Sequence, residues 1–131
     1  MKYFLLLLGF CFPAILLAQY ANTNTAEQKK FEPINVWFVM LVKGNNRTQD
    51  STTAAKLQEG HLANINKMVA AGKLLVSGPF LEDANWRGIF ILKCDTKDEA
   101  ENLVKEDPAV IAGRLAYEIH PWMTGKNCLF K

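Results

Sequence analysis

Histidine is the side chain that most readily gains and loses a proton near neutral pH, and this 131-residue chain contains two histidines. His61 lies in segment 57–80, where a helical pattern is followed by a glycine, a short apolar stretch and a Gly-Pro pair. It falls at helical spacing with Leu57, Ile65 and Met68, which places it on the apolar face of a helix or at its border. A histidine there is either a general acid–base group or a core residue whose hydrogen bonds are satisfied.

His120 is the second candidate, and it shares one face of a predicted strand with Glu118. Together with His61 these side chains could supply ligands to a metal ion. Nothing in the sequence fixes their spacing to His61, and two histidines are weak support for a metal site. The chain also lacks a C-x-x-C pair, a G-x-G-x-x-G motif, a P-loop and a G-x-S-x-G motif. We therefore predict neither a metal nor a cofactor.

Two further residue types could help to bind a substrate. Ser77 precedes Gly78-Pro79 and could place a hydroxyl near His61, but no acid–base partner adjoins it, and an ordinary strand residue is the better explanation. Arg87 and Arg114 either hold an anionic substrate group or lie in solvent or at an interface.

The tryptophans and cysteines also have two interpretations each. Trp37, Trp86 and Trp122 either line an aromatic pocket or belong to the core or a dimer contact. Cys94 ends the third predicted strand and Cys128 lies a few residues beyond the fourth, and these two strand ends lie on the same side of an antiparallel sheet. A disulfide between them is possible in an exported protein but is not required.

The N-terminal residues differ from the rest of the chain. Lys2 supplies one positive charge, residues 3–18 are uncharged and almost wholly apolar, and a small residue precedes the expected cleavage point. This pattern is typical of a secretory signal peptide at residues 1–18. The alternative is an uncleaved membrane anchor, for which the run is short and contains Pro13. We expect export to the periplasm or the cell exterior, with residues 19–33 as a flexible polar leader.

The charge pattern limits the possible partners. The formal net charge is +2, and the basic residues are scattered without a basic run or interleaved aromatic residues. Nucleic-acid binding normally leaves such an electrostatic footprint, so we predict no nucleic-acid partner. We also predict no stable membrane association after the signal peptide is cleaved.

The remaining segments alternate between strand and helix patterns. Residues 35–43 are apolar on both faces, which indicates a strand buried on both sides, whereas residues 114–123 alternate between apolar and polar as an edge strand does. The expected order is a strand at 35–43, a helix capped by Ser51 or Thr52 and ended by Gly72, strands at 73–80 and 87–94, a helix at 97–106 capped by Asp95 or Thr96 and ended by Asp107-Pro108, a turn at 109–113 and a strand at 114–123.

This βαββαβ order predicts an α+β, ferredoxin-like fold. In that fold two helices cover one face of a four-stranded antiparallel sheet, and the first and third strands are central. Two helices cannot cover both faces of the sheet, so the apolar residues on the other face need a partner. We therefore expect a homodimer that packs sheet against sheet.

Three ordered segments carry a resemblance to a known family. They are AAGKLLVSGPF at 70–80, RGIFIL at 87–92 and DPAVIAGRLAYEIHPW at 107–122, preceded by the histidine of the first helix. Together they resemble the YCII-related domain family over roughly residues 34–123. The expected domain is therefore 34–124, followed by a C-terminal tail at 125–131.

The resemblance implies a dimeric α/β barrel type of fold, usually a homodimer, and a site built on a histidine–aspartate pair. Those two positions match His61 and Asp107. A carboxylate beside an imidazole fixes its tautomer and readies it for acid–base work. The alternative is that Asp107 fixes a turn and His61 is a core residue. The substrate-binding residues that we predict are Ser77, Gly78, Pro79, Arg114 and Trp122.

Two functions follow from these observations. The first is an exported enzyme without a cofactor, in which His61 and Asp107 catalyse a proton transfer, an elimination or a lyase-type step on a small molecule. Some members of the family resemble enzymes that act on hydroxylated, halogenated aromatic rings, and many have no assigned activity. The second is a non-catalytic module for small-ligand binding or dimerisation whose His–Asp pair is structural.

Overall fold

The computed structural model describes residues 30–128. The expected signal peptide and most of the expected leader lie outside these residues. The elements in chain order are β1 (Pro33–Lys43), α1 (Ser51–Ala70), β2 (Leu74–Pro79), β3 (Trp86–Leu92), α2 (Lys97–Lys105), α3 (Pro108–Ile111), β4 (Leu115–Gly125) and a 3-10 turn (Lys126–Cys128). Within this part of the chain, no helix is both long enough and apolar enough to cross a membrane.

The four strands form one antiparallel sheet in the order β2-β3-β1-β4. This order confirms the ferredoxin-like α+β fold and the central position of β1 and β3. One apolar face of β1 packs in the core beneath the helices, and the other lies at the centre of the sheet face that the helices do not cover. β4 lies at an edge, and its alternating pattern of half-buried and exposed residues agrees with that position.

The core lies between the sheet and the helices. Phe90 and Leu92 of β3 are almost inaccessible to solvent, as is Met68 of α1. The same cluster contains residues of β1, β2 and α2: Val39, Leu41, Leu74, Ala100 and Val104. Burial of these apolar side chains is the main force that holds the helices against this face of the sheet.

The opposite face of the sheet is also apolar at its centre. Phe38 and Met40 point there because they alternate with the core residues of β1, and both are half-buried. Phe38 contacts Trp122 edge-to-face with ring centroids 6.1 Å apart, and Trp122 remains 44% exposed. His120 is paired with Phe38 in the β1–β4 ladder, so it lies on this face too.

The helix ends agree with the sequence at two positions and differ at one. Thr96 caps α2, and Gly72, with φ +67°, follows the C-cap residue Ala71 of α1, as predicted. The cap of α1 is Asp50, so the prediction of Ser51 or Thr52 was wrong. The Asp50 carboxylate accepts a hydrogen bond from the Thr53 backbone N–H at 2.8 Å and another from the Thr53 hydroxyl.

A one-turn helix, α3, replaces most of the turn predicted at 109–113. Pro108 occupies its first turn, where a fixed φ and a missing N–H are tolerated. The Asp107 carboxylate caps it by accepting a hydrogen bond from the Ala109 N–H at 2.8 Å. The prediction treated Asp107-Pro108 only as the end of α2. The same two residues also begin the next helix.

Candidate active site

The centre of the candidate site is a contact between α1 and the start of α3. His61 Nδ1 lies 2.5 Å from Asp107 Oδ2. The Asp107 side chain is completely buried, and the His61 side chain is 13% exposed. Because Asp107 Oδ1 accepts the Ala109 N–H, both carboxylate oxygens have partners. The carboxylate is therefore held in one orientation from two sides.

A glycine allows the two helices to approach this closely. Gly60 precedes His61 on α1, and Pro108 follows Asp107 at the start of α3. A Cβ atom at position 60 would lie only 2.8 Å from Pro108 Cγ. A glycine inside a helix is normally unfavourable relative to alanine, so its presence needs a packing reason. That unfavourable glycine was the signal in the sequence for this contact, and the sequence interpretation missed it.

Two contacts fix the imidazole of His61: the Asp107 carboxylate at its edge and the Phe90 ring against its face. Its ring is roughly parallel to that of Phe90, with centroids 5.9 Å apart and planes inclined by 23°. With Nδ1 directed at the aspartate, Nε2 makes no hydrogen bond to any other residue in the described range. The neutral tautomer that donates from Nδ1 to the carboxylate leaves the Nε2 lone pair free to accept a proton.

His61 lines a cavity of about 330 Å³ between α1 and the β2–β3 side of the sheet. Gln58, Ser77 and Arg87 supply the other polar side chains of its wall. The rest of the wall is apolar or glycine and comes from β1, α1, the sheet strands β2 and β3, and the start of β4. A mostly apolar wall with a few polar groups is typical of a small-molecule site.

The structure brings three of the five predicted substrate-binding residues to this cavity. Ser77, Gly78 and Pro79 line it. Ser77 is paired with Phe90 in the β2–β3 ladder, so its side chain lies on the helix-covered face of the sheet. Its hydroxyl has no hydrogen-bond partner among residues 30–128.

The other two predicted residues are not in the wall of this cavity. Arg114 donates from Nη1 to Gln49 Oε1 at 3.1 Å, where it ties the entry of β4 to the loop before α1. Trp122 lines a separate, wider cleft of about 440 Å³ together with Trp37 and Cys94. We assign the candidate site to the smaller cavity because it contains the His–Asp pair.

Arg87 is the cavity residue whose position the sequence could not predict. The β1–β3 register passes from Leu41 opposite Gly88 to Val42 opposite Trp86, so Arg87 is the extra residue of a β-bulge. Its Nη1 donates to Asp83 Oδ1 at 3.0 Å. A hydrogen bond and the charge of Lys43, together with the charge of Arg87, hold the pKa of the Asp83 carboxyl below its usual value.

The remaining candidates lie elsewhere. His120 Nε2 is 3.8 Å from Glu118 Oε2, both are 62% exposed, and they lie on the face of the sheet opposite His61. No group of three or more possible metal ligands occurs in the part of the chain that the structure describes.

Cys94 is buried and Cys128 is exposed, and both are free thiols. Burial raises the pKa of the Cys94 thiol.

The other two tryptophans do not form an aromatic pocket around His61. Trp37 donates from its indole N–H to the Cys94 carbonyl at 3.3 Å. Trp86 is 53% exposed and packs near Phe80, with ring centroids 6.0 Å apart.

Comparison with known proteins gives a family and a fold. The model of the YCII-related domain matches residues 36–123. A similar solved structure is that of 5-chloro-2-hydroxyhydroquinone dehydrochlorinase (TftG) from Burkholderia phenoliruptrix AC1100, in complex with 2,5-dihydroxybenzoquinone. The match has a TM-score of 0.53 and 24% sequence identity, and covers 70% of this chain and 97% of that one. At this identity the likeness shows a shared fold. No curated protein matches the chain.

Proposed function

Since this chain belongs to the YCII-related domain family, we propose that it is a small-molecule enzyme in which His61 is the general acid–base and Asp107 orients it. The observation that carries the proposal is the 2.5 Å contact between His61 Nδ1 and Asp107 Oδ2 at the wall of a cavity. A histidine that served only to fill the core would not need a free ring nitrogen beside a space large enough for a ligand.

In this proposal each atom of the pair has a role that fits the geometry. The Nδ1–H donates to Asp107 Oδ2, which leaves Nε2 to take a proton from the substrate. The imidazolium that results is stabilised by the buried carboxylate, and it can return the proton to a leaving group or to water. Positioned proton transfer of this kind contributes a rate factor of about 10² to 10⁴.

The cavity limits the substrate to a small molecule. Its volume of about 330 Å³ is near the lower end of the range of ligand pockets, about 300–1,000 Å³. The largely apolar wall suits a single ring or a carbonyl compound of similar size. The related structure is that of a dehydrochlorinase. We propose the corresponding chemistry here, an elimination. Nε2 removes a proton from the substrate, the electron pair of the broken bond to hydrogen forms a new double bond, and the leaving group departs as an anion.

The competing function is a non-catalytic module for small-ligand binding or dimerisation. One observation favours it: Asp107 caps α3 and binds a residue of α1, so the pair also joins two helices. The contact between His61 and Asp107 would join α1 to α3 even if no proton were transferred.

Variants at the pair distinguish the two functions. We expect His61→Gln to lower turnover at least about 100-fold, the lower end of the acid–base contribution. Asp107→Asn keeps an oxygen to cap α3 but presents an amide to His61, so turnover should fall while most of the stability remains. Asn66→Ala, at an exposed position of α1 outside the cavity wall, is the control and should leave turnover unchanged.

Turnover can be followed as halide release from a panel of halogenated hydroquinones, starting with 5-chloro-2-hydroxyhydroquinone. Retention of activity in His61→Gln within about threefold of the parent would contradict an acid–base role, which predicts a far larger factor. If no compound of the panel reacts and His61→Gln mainly lowers the unfolding midpoint, the structural function is the correct one.

We further propose that the protein is exported and forms a homodimer through the open face of the sheet. The half-buried Phe38 and Met40 and the exposed Trp122 supply an apolar centre for such an interface. A mass of one mature chain at micromolar concentration, measured by light scattering, would refute the dimer. A mature protein that still begins at Met1 would refute cleavage of a signal peptide.

A further inference from the structure

The charge of the cavity wall is unbalanced. Arg87 is the one arginine or lysine among the residues that line the cavity, and no aspartate or glutamate is among them. Asp107 lies behind His61 and is enclosed by its two hydrogen-bond donors. Apolar walls around a charge strengthen its field because they exclude water. The part of the cavity beside Arg87 therefore favours an anionic group over a cationic one.

The guanidinium of Arg87 has an unused edge. All three of its hydrogen bonds come from Nη1, to Asp83 Oδ1 at 3.0 Å and to the carbonyls of Glu82 and Ala84 at 3.4 Å. Nε and Nη2 bind no residue in the range 30–128. These two nitrogens form the edge that matches the two oxygens of a carboxylate. One end of the guanidinium thus fixes its orientation, and the other end remains available to a ligand.

The contact with Asp83 does not neutralise Arg87. Asp83 Oδ1 is also 3.0 Å from Lys43 Nζ, so two cations share one carboxylate. The Asp83 side chain is 87% exposed, and water weakens its attraction for either partner. Arg87 is less exposed, at 28%. A net positive charge therefore remains at this side of the cavity.

We infer that the ligand of this cavity carries an anionic oxygen group, a carboxylate or the ionised hydroxyl of an acidic ring, and that Arg87 binds this group while His61 faces the rest of the molecule. The inference rests on the proposed function only in taking this cavity as the ligand site. Arg87 is a specificity-determining residue that selects charge, and its role needs no turnover.

A matched pair of probes tests the charge preference. Benzoate and benzamide have nearly the same size and shape, and only benzoate is charged. Dissociation constants from NMR titration of the whole protein should show benzoate bound more tightly. Charge-assisted hydrogen bonds to an arginine predict that Arg87→Gln weakens benzoate about 10- to 100-fold and changes benzamide little. Lys97→Gln removes one positive charge from the outside of α2 and should leave both constants unchanged.

Two more variants exclude a mere loss of folding. Arg87→Lys keeps the charge but not the planar edge, so benzoate affinity should fall between those of the parent and Arg87→Gln. Asp83→Asn removes the competing carboxylate and should tighten benzoate. Equal affinity for the two probes, binding of neither at millimolar concentration, or an unchanged preference in a folded Arg87→Gln would overturn the inference. His61→Gln should still bind benzoate, so a failure of the catalytic proposal is distinguishable from a failure of this one.

Discussion

Substitution of Gly60 by alanine tests whether close helix contact sets the geometry of the His–Asp pair. The added Cβ would lie 2.8 Å from Pro108 Cγ and 3.1 Å from Pro108 Cβ. Carbon atoms in contact are normally about 3.5–4.0 Å apart, so the proline ring must move away by about 0.7 Å or more. The ring is part of the backbone next to Asp107, and the carboxylate moves with it. The 2.5 Å contact then lengthens to about 3.2 Å, the upper limit for such a bond.

The effects on stability and on turnover should separate. Replacing a glycine inside a helix by alanine stabilises the helix by about 1 kcal/mol. Overpacking against Pro108 costs about 1–3 kcal/mol, so the net change in the free energy of unfolding is a loss of at most about 2 kcal/mol. A misplacement of about 1 Å at a catalytic group costs about 100-fold in rate, so turnover should fall much further than this loss of stability explains.

The assay combines urea denaturation, turnover and the NMR signal of the His61 Nδ1 proton. Asn66→Ala is the matched control, because Asn66 is an exposed residue of α1 and its substitution reports helix propensity alone. Pro108→Ala in the Gly60→Ala background removes the nearest colliding atom, Pro108 Cγ, and should restore part of the proton signal and part of the turnover. A Gly60→Ala protein that is about 1 kcal/mol more stable and fully active, as propensity alone predicts, would refute the reasoning.

Three further predictions concern other parts of the fold. Cys128 should react with iodoacetamide much faster than Cys94, because burial raises the Cys94 pKa and keeps it a thiol; equal rates by mass spectrometry would contradict the structure. Hydrogen bonds from Thr53 lower the pKa of Asp50, so this carboxylate stabilises the fold above its unfolded pKa of about 3.9, and the stabilisation is lost as pH falls through the lower folded value. Asp50→Ala should therefore lower the urea midpoint at pH 7 and converge with the parent under acid conditions; a difference independent of pH would exclude this origin. Gly72→Ala should lower the free energy of unfolding, measured by urea denaturation, by about 1–2 kcal/mol. An added Cβ there meets no neighbour, so the positive φ is the whole cause; an unchanged midpoint would show that the turn adapts.

The fold could be predicted from the sequence because local patterns determine most of it. The two-sided apolar character of β1 identified a central strand, and Thr96 and Gly72 marked helix ends through preferences that act within one turn. The errors also have local causes. Asp50 competes with Ser51 and Thr52 as a cap, and a pattern cannot decide which side chain reaches the free N–H groups.

The candidate site could be predicted less completely, because it depends on contacts between distant residues. His61 and Asp107 are 46 positions apart, and their pairing came from the family resemblance rather than from any pattern in the chain. Arg87 enters the cavity through a β-bulge, and a bulge shifts the register without a clear signal in composition. The predicted position of Arg114 at the entry of β4 is correct, but its side chain binds Gln49.

The double role of Asp107 affects how related proteins should be judged. One oxygen of its carboxylate begins a helix, so loss of the aspartate damages the scaffold whether or not the protein catalyses a reaction. Selection for folding alone would retain it. His61 has no comparable duty in the backbone, so a relative that had abandoned its chemistry could replace the imidazole by another group that donates a hydrogen bond to the buried carboxylate. Under the proposed acid–base role, we therefore expect the histidine rather than the aspartate to separate catalytic from non-catalytic members of this family.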